Sequence, residues 1–339
     1  MRIGIHVGHW ETHPNDAVPV AREAERLGFD SVWISETWGS DAVALASWIA
    51  SRTERIHIGT GVLQIAARTP ASTAMSALTI DHLSGGRFRL GLGISGPQVV
   101  EGWHGVSFER PLQRTRECVD IVRAILRREE PLSYDGTIYQ LPAREGTGLG
   151  KPLKSNVQPL RANVPIYLAA IGPQNVALAA EIADGWIPLL ASPEHMDVFT
   201  SSLAEGSARG GRDGAGFDIA PMVPIAIGDD IAACRDEVRP SLALYIGAMG
   251  PRGANFYHAL VSRYGYAETA DAVQDAFFDG RRSDAIAAVP DALVDELALV
   301  GPVARVAERL HAWRDAGATT LLARTAQVET VRALAEALG

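Results

Sequence analysis

Residues 319–324 read Thr-Thr-Leu-Leu-Ala-Arg, and a helical pattern over 326–338 follows them. The first stretch is a short apolar run of strand length, and the second repeats its apolar residues with the helical period. Together they make one strand–helix unit. Counting back through the chain, seven more such units precede it. Eight strands each followed by a helix is the count of a (β/α)8 TIM barrel with insertions, fold class α/β. A doubly wound open sheet is the alternative that alternation alone leaves open. The eighth strand with its last helix favours closure.

The earlier strands are expected at 2–8 (RIGIHVG), 30–35 (DSVWIS), 56–62 (IHIGTGV), 87–93 (RFRLGLG), 164–170 (VPIYLAA), 185–190 (GWIPLL) and 217–227 (FDIAPMVPIAI, interrupted by two prolines). Helices are expected from Asn15 to Leu27, closed by Gly28, then over 41–51, Pro70–Leu83, Leu112–Arg127, Gln174–Ala183, 194–206 and Val303–Ala316. Pro70 suits a first helical position, where its missing N–H is no loss, and Gly28 suits a helix C-terminus. The pair Asp135-Gly136 marks a small hairpin, and 143–163 reads as a loop rich in Pro, Gly and Lys. Residues 229–298 read as mostly helical and too long for one crossover. The expectation is therefore one barrel domain over 1–339 with a helical insertion at about 229–300.

Composition narrows the function classes. The 339 residues carry 31 Lys and Arg against 40 Asp and Glu, a net charge of -9 with no basic block, which argues against a nucleic-acid partner. No apolar run reaches the ~18 residues that span a bilayer, and the first residues, MRIGIHVGHW, lack the pattern of a secretory signal. Cys118 and Cys234 stand alone, which predicts a reducing cytoplasm and no disulfide.

In such a barrel, function sits at the C-terminal strand ends. Those ends read Gly8-His9-Trp10, Ser35-Glu36-Thr37-Trp38, Val62-Leu63-Gln64, Ile94-Ser95-Gly96, Ala170-Ile171-Gly172 and Leu190-Ala191-Ser192. Two of them carry Trp, His or Glu, which points to an enzyme with a planar ligand. Gly91-Leu92-Gly93-Ile94-Ser95-Gly96 matches GxGxxG, but it follows the fourth strand and runs into GPQVVEGWHG, which does not read as a helix start. Tight packing at a strand end explains it better than a dinucleotide fingerprint. His6, His9 and His13 lack an acidic cluster and the ligands from several strand ends that a barrel metal site takes, so no metal is expected. There is no GxSxG elbow. The stretch Ala169-Ala170-Ile171-Gly172-Pro173-Gln174-Asn175 is more informative. A buried strand ends in small residues and a helix opens at once, leaving backbone N–H groups for an anion. A plain tight turn would look the same.

Two longer stretches, IHIGTGVLQIAARTPASTAMSALTIDHLSGGRFRLGLGISGPQVVEGWHG and IYLAAIGPQNVALAAEIADGW, resemble the bacterial luciferase-like monooxygenase superfamily. Within it they are most similar to the branch that uses the deazaflavin coenzyme F420. DHLSGGRFRLGLG and the GP…ADGW pair recur there in the same order. The likeness runs from residue 1 to about 230 and resumes near 300. It implies a (β/α)8 barrel, a cytoplasmic homodimer, and a deazaflavin ring across the barrel mouth. It also implies a non-prolyl cis peptide at Gly61-Val62 behind that ring, with the loop Ile94, Ser95, Gly96, Pro97 and Gln98 beside it. The cofactor phosphate would sit at the Gly172 helix start among Ala169, Ala170, Ile171, Pro173, Gln174 and Asn175. Glu36 matches an acidic position that touches the cofactor. Where many deazaflavin relatives follow it with His, this chain has Thr37, which removes the usual proton-transfer residue.

The chemistry implied is hydride transfer between coenzyme F420 and a small unsaturated, carbonyl or imine substrate, as a reductase. FMN as the cofactor of a monooxygenase is the alternative, and a non-catalytic flavin-binding barrel a second. His9, Trp10, Trp38, Trp103 and His104 are candidate substrate-wall residues. The proton is expected from Glu36, ahead of Glu101 and His9, with burial against Trp38 or Trp103 raising the carboxyl pKa. Arg68, Lys151, Lys154 and Arg161 are expected near the mouth as partners for the anionic cofactor tail.

Overall fold

The structure, a computed structural model, describes residues 1–8, 17–212 and 214–339. The chain runs β1 (Arg2–Val7), α1 (Ala17–Arg26), β2 (Ser31–Ile34), α2 (Ala42–Ala50), β3 (His57–Thr60), β4 (Leu63–Gln64), α3 (Pro70–Leu83) and β5 (Phe88–Gly93). It continues through α4 (Pro97–Gly102), α5 (Pro111–Arg127), β6 (Tyr134–Asp135), β7 (Gln140–Leu141), β8 (Ile166–Ala169), α6 (Pro173–Ile182), β9 (Gly185–Ile187), α7 (Asp197–Arg209), β10 (Asp218–Ile219) and β11 (Met222–Ile227). Five helices follow: α8 (Ile231–Ala248), α9 (Phe256–Val261), α10 (Ala267–Phe278), α11 (Arg282–Ala287) and α12 (Asp291–Leu297). The last elements are β12 (Leu299–Gly301), α13 (Val303–Asp315), β13 (Thr320–Arg324) and α14 (Val328–Leu338).

Local chemistry sets many of these boundaries. Thr69 caps α3 by accepting from Ser72 N at 3.2 Å, with Pro70 as the first helical residue. Asp41 caps α2 through Ala44 N at 2.7 Å. Asp230 starts α8 by accepting from Ala232 N and Ala233 N. Gly28, at φ 82°, carries the chain out of α1 in a conformation other residues resist.

The main sheet is parallel throughout, in the order β9-β8-β5-β3-β2-β1-β13-β11. The seventh barrel strand closes the ring in two halves. Asp218–Ile219 pairs with β9, and after a break at Ala220-Pro221, Met222–Pro224 pairs with β13. Of the two prolines expected to interrupt this strand, only Pro221 does so. The eight-strand count therefore holds. Four labelled strands fall outside it: β4, the separate β6 and β7, and the three-residue β12, which adds to the outer edge of β11 by pairing Ile225 with Leu299. Asp135 and Gly136 do open an antiparallel hairpin, β6–β7.

Inside the barrel, Trp33, Tyr167, Ile187, Ala220, Met222 and Leu322 form their own cluster, separate from the larger core between sheet and helices. Trp33 and Tyr167 meet edge-to-face with ring centroids 4.9 Å apart. Glycines make this possible, because a Cβ at Gly59 or Gly185 would overlap the Trp33 or Tyr167 ring. At the N-terminal end, Arg89 pairs with Asp30 at 2.6 Å and Arg2 with Asp218 at 2.8 Å. Cys118 and Cys234 are buried free thiols, and burial pushes Cys118 up to about 12, so it stays protonated. Among the described residues no helix is long and apolar enough to cross a membrane.

Candidate active site at the barrel mouth

Strand alternation identifies the floor of the C-terminal mouth. Residues in register across parallel strands share a face, so the Gly4–Leu322 and Trp33–Gly59 pairs fix which residues point inward. Continuing outward by twos, the last inward positions are His6, Ser35, Gly61, Gly93, Ala169, Leu189, Pro224 and Arg324. On the β3–β5–β8 side the floor is built from glycine and alanine, which leaves it low and flat.

Three groups tie this floor together. His6 Nε2 lies 2.9 Å from both the Gly61 carbonyl and Ser35 Oγ, and the Ser35 hydroxyl donates to the same carbonyl at 3.2 Å. His6 is fully buried, and desolvation pulls its pKa down to about 4, against the Gly61 hydrogen bond and helped by the Arg324 charge. It is therefore a neutral imidazole that orients Gly61. The next bond, Gly61–Val62, is a cis peptide, and the Val62 side chain lies against Gly93. Gln64 follows in register with Gly93. Its amide donates to Thr37 O at 2.7 Å, and its Oε1 is buried with no partner among the described residues.

Glu36 sits beside this bulge as an acceptor. Arg68 donates to both of its oxygens at 2.7 Å, and the backbone N–H groups of Gln64 and Ala42 reach it at 3.1 and 3.4 Å. The side chains of Glu36 and Arg68 are 6% and 14% exposed. Arg68 also pairs with Asp41, the cap of α2. A proton on either Glu36 oxygen would displace one of these donors. That geometry suits a group that pins β2, the β3 bulge and α2 together, and it does not suit the proton donor expected from sequence.

Across the floor, α6 opens at Pro173 with Gly172 extended at φ -77°, ψ 146°. The Gly172 carbonyl accepts from Asn175 N and Val176 N, while the N–H groups of Gly172 and Gln174 have no acceptor among the described residues. A Cβ at Gly172 would meet nothing. Ala169 is the last residue of β8, Ala170 accepts from Trp186 Nε1 at 2.8 Å, and Ile171 is partly buried. Ser95 at φ 59° and Leu190 at φ 56° hold left-handed backbone at two strand ends, where non-glycine residues are uncommon.

A family model described as luciferase-like monooxygenase matches residues 2–320. The chain belongs to this family. A Mycobacterium tuberculosis protein whose name reads "Putative coenzyme F420-dependent oxidoreductase" is 47% identical over 341 residues, covering 99% of this chain and 98% of the relative. The 5,10-methylenetetrahydromethanopterin reductase of Archaeoglobus fulgidus is 30% identical over 307 residues, 88% of this chain and 86% of its own. Among solved structures, the coenzyme F420-dependent tetrahydromethanopterin reductase from Methanopyrus kandleri superposes with a TM-score of 0.80 over 99% of this chain and 97% of its own. Its identity is 21%, so that likeness is one of fold.

Against this luciferase-like framework several expectations need correcting. Ile94, Ser95 and Gly96 form a loop, but Pro97 and Gln98 begin α4, because Pro97 fits the first helical turn after an extended Gly96. Glu101, on that helix, is exposed and accepts from Phe108 N at 3.1 Å. Trp38 and Trp103 are 42% and 65% exposed. The Glu101 carboxyl is therefore exposed, and Glu36 owes its burial to a site shared with Arg68. His104 is partly buried, its Nε2 without a partner among the described residues. His9 and Trp10 lie outside the described residues. Arg161 binds Asp81 and the Phe88 carbonyl at the start of β5, and Lys154 binds Glu129 O just past α5, so both sit at the end opposite the mouth. Lys151 is exposed, and Arg68 is taken by Glu36 and Asp41. The sequence reading passed over Arg324 entirely. A charged residue closing an apolar barrel strand was the signal.

Proposed function

We propose that this chain is a coenzyme F420-dependent oxidoreductase that transfers a hydride to or from a small unsaturated, carbonyl or imine substrate. The observation that carries the reading is the 47% identity to a relative so named, over 99% of the chain. The mouth fits such a group in two respects: a flat glycine and alanine floor on one side, and unbonded N–H groups at an open helix start on the other. On this reading residues 1–339 are one barrel domain with an insertion at about 229–300, working as a homodimer.

When bound, the deazaflavin supplies a ring carbon that accepts or gives a hydride. The chain's own residues do the rest. Gly172, Gln174 and Asn175 would hold the phosphate, with Ala169, Ala170, Ile171 and Pro173 around it. Gly61, Val62, Gly93 and the Ile94–Gln98 segment would back the ring. His6 and Ser35 fix the Gly61 carbonyl, and Glu36 with Arg68 fixes the bulge, so the ring seat is shaped before binding. Because Arg68 and two backbone N–H groups occupy both Glu36 oxygens, whereas Glu101 accepts a single bond, the proton role is assigned to Glu101 or His9.

The cofactor test is direct binding followed by fluorescence. Coenzyme F420 is expected to bind at least ~10-fold more tightly than FMN, about 1.4 kcal/mol. Equal affinities, or FMN copurifying at full occupancy, would turn the reading to the monooxygenase.

Gly172→Asp tests the phosphate seat. The new carboxylate has room, and it would accept from the N–H groups of Gln174 or Asn175 as an N-cap. It thereby occupies the donors a phosphate needs and repels it. Cofactor affinity is expected to fall roughly 30-fold, about 2 kcal/mol, while the melting temperature holds or rises slightly. Unchanged affinity in the folded variant would remove the phosphate from this helix.

A further inference from the structure

Among the described residues, three arginines on or beside the barrel strands meet a carboxylate. Arg2 has Asp218, Arg89 has Asp30, and Arg68 at the mouth has Glu36 and Asp41. Arg324, the last residue of β13, has no carboxylate within ion-pair distance among the described residues. Its position is inward. Leu322, two residues before it, belongs to the inner cluster, whereas Leu321 and Ala323 face the helices. Arg324 is in register with His6 on one side and Pro224 on the other. Its Nη2 donates to Ser241 Oγ of α8 at 2.7 Å, which anchors the guanidinium, and its other N–H groups have no acceptor among the described residues. Burial lowers its pKa from the ordinary arginine value, with only the Tyr245 phenol acting the other way. A largely desolvated cation with no counter-charge among the described residues is costly to keep, and an anchored guanidinium fork matches a carboxylate.

We infer that Arg324 is the anion-binding residue of the mouth and that the organic substrate carries a single carboxylate, which it grips in bidentate fashion. One guanidinium matches one carboxylate. His6 beside Arg324 is neutral and Arg68 is held by Glu36 and Asp41, so Arg324 is a single guanidinium that no carboxylate among the described residues faces. A phosphate dianion would leave a buried negative charge unmatched. The neighbours Leu189, Met222 and Pro224 are apolar, which suits a hydrocarbon body attached to the acid. The inference deepens the oxidoreductase reading, since it takes this mouth as the place where substrate enters.

The probe is benzoate against its neutral isostere benzamide, titrated by calorimetry into the full chain as wild type, Arg324→Gln and Arg324→Lys. The wild type is expected to bind benzoate at least ~10-fold better than benzamide. Arg324→Gln should abolish that preference, and Arg324→Lys should keep part of it, because an ammonium supplies charge without the fork. Coenzyme F420 affinity should be the same in Arg324→Gln as in wild type. Absence of benzoate binding at millimolar concentration, or equal binding by wild type and Arg324→Gln, overturns the inference. So does a ~10-fold fall in coenzyme F420 affinity in Arg324→Gln with the benzoate preference intact, which would assign the cation to the cofactor's own anions. If the glutamine variant fails to fold, the lysine variant decides: undiminished benzoate binding sinks the bidentate grip. Should coenzyme F420 fail to bind wild type while benzoate still depends on Arg324, the cofactor reading falls and the anion site stands.

Discussion

Arg68→Ala is expected to lower folding stability by about 3–5 kcal/mol, the usual consequence of leaving a buried charge without its partner. Glu36 is 6% exposed at its side chain, and Arg68 supplies two of the donors that reach it. With Arg68 gone, the carboxylate keeps the Gln64 and Ala42 N–H groups, the second at 3.4 Å, and is left buried without its cation. Asp41 loses the same partner, but it is more than half exposed and contributes little. The control is the double variant Arg68→Ala with Glu36→Gln. It removes the stranded charge and should recover a large part of the loss, whereas two unrelated defects would add. Denaturant unfolding of wild type, both single variants and the double gives the coupling. A single-variant loss below about 1 kcal/mol, or a double variant no more stable than Arg68→Ala, would show that the pair is not what holds the bulge.

The fold was legible in the sequence wherever a local signal carried it. Pro70 and Leu83 bound α3 as expected, Gly28 ends the first helix, and the six inward residues of the inner cluster sit on expected strands. The misses are of a different kind. Three residues, Leu299–Gly301, are too few to show a period, and their strand exists only because β11 offers an open edge. The site depends still more on distance. Glu36 meets Arg68 across 32 residues, and His6 meets Gly61 across 55. Nothing near Glu36 in the sequence says that its charge is already matched, so it read as a free acid. Arg161 read as a neighbour of the mouth because the path of the 143–163 loop is set by its partners Asp81 and Phe88, which lie 80 and 73 residues away. Strand alternation, by contrast, was available from the start. Applied to 319–324 it would have put Arg324 on the inward face at the functional end.

His6 makes stability depend on pH in a window where most side chains are silent. In the unfolded chain the imidazole titrates near 6.5, and in the barrel near 4. Between these values the unfolded state takes up a proton that the folded state refuses. Stability therefore rises with pH across the window: the contribution is complete above about 6.5 and is lost as pH falls toward about 4. One proton over that span is worth about 3 kcal/mol. Carboxylates such as Glu23 and Glu25, whose folded pKa values are lowered, act in the same sense but at lower pH. His57 is also lowered and acts in the same window, so the test is a difference between wild type and variant. His6→Gln keeps an N–H to offer the Gly61 carbonyl and cannot titrate. Unfolding free energies at several pH values from 7 to 4.5 should converge for the two proteins as pH falls, wild type losing more. Parallel curves would mean that His6 is protonated, or wet, in the folded state. Arg324→Gln supplies the physical cross-check. Its positive charge is one reason the imidazole stays neutral, so removing it should raise the folded His6 pKa and shorten the window from its acid end. Desolvation, the larger cause, stays in place, and the window should narrow without closing.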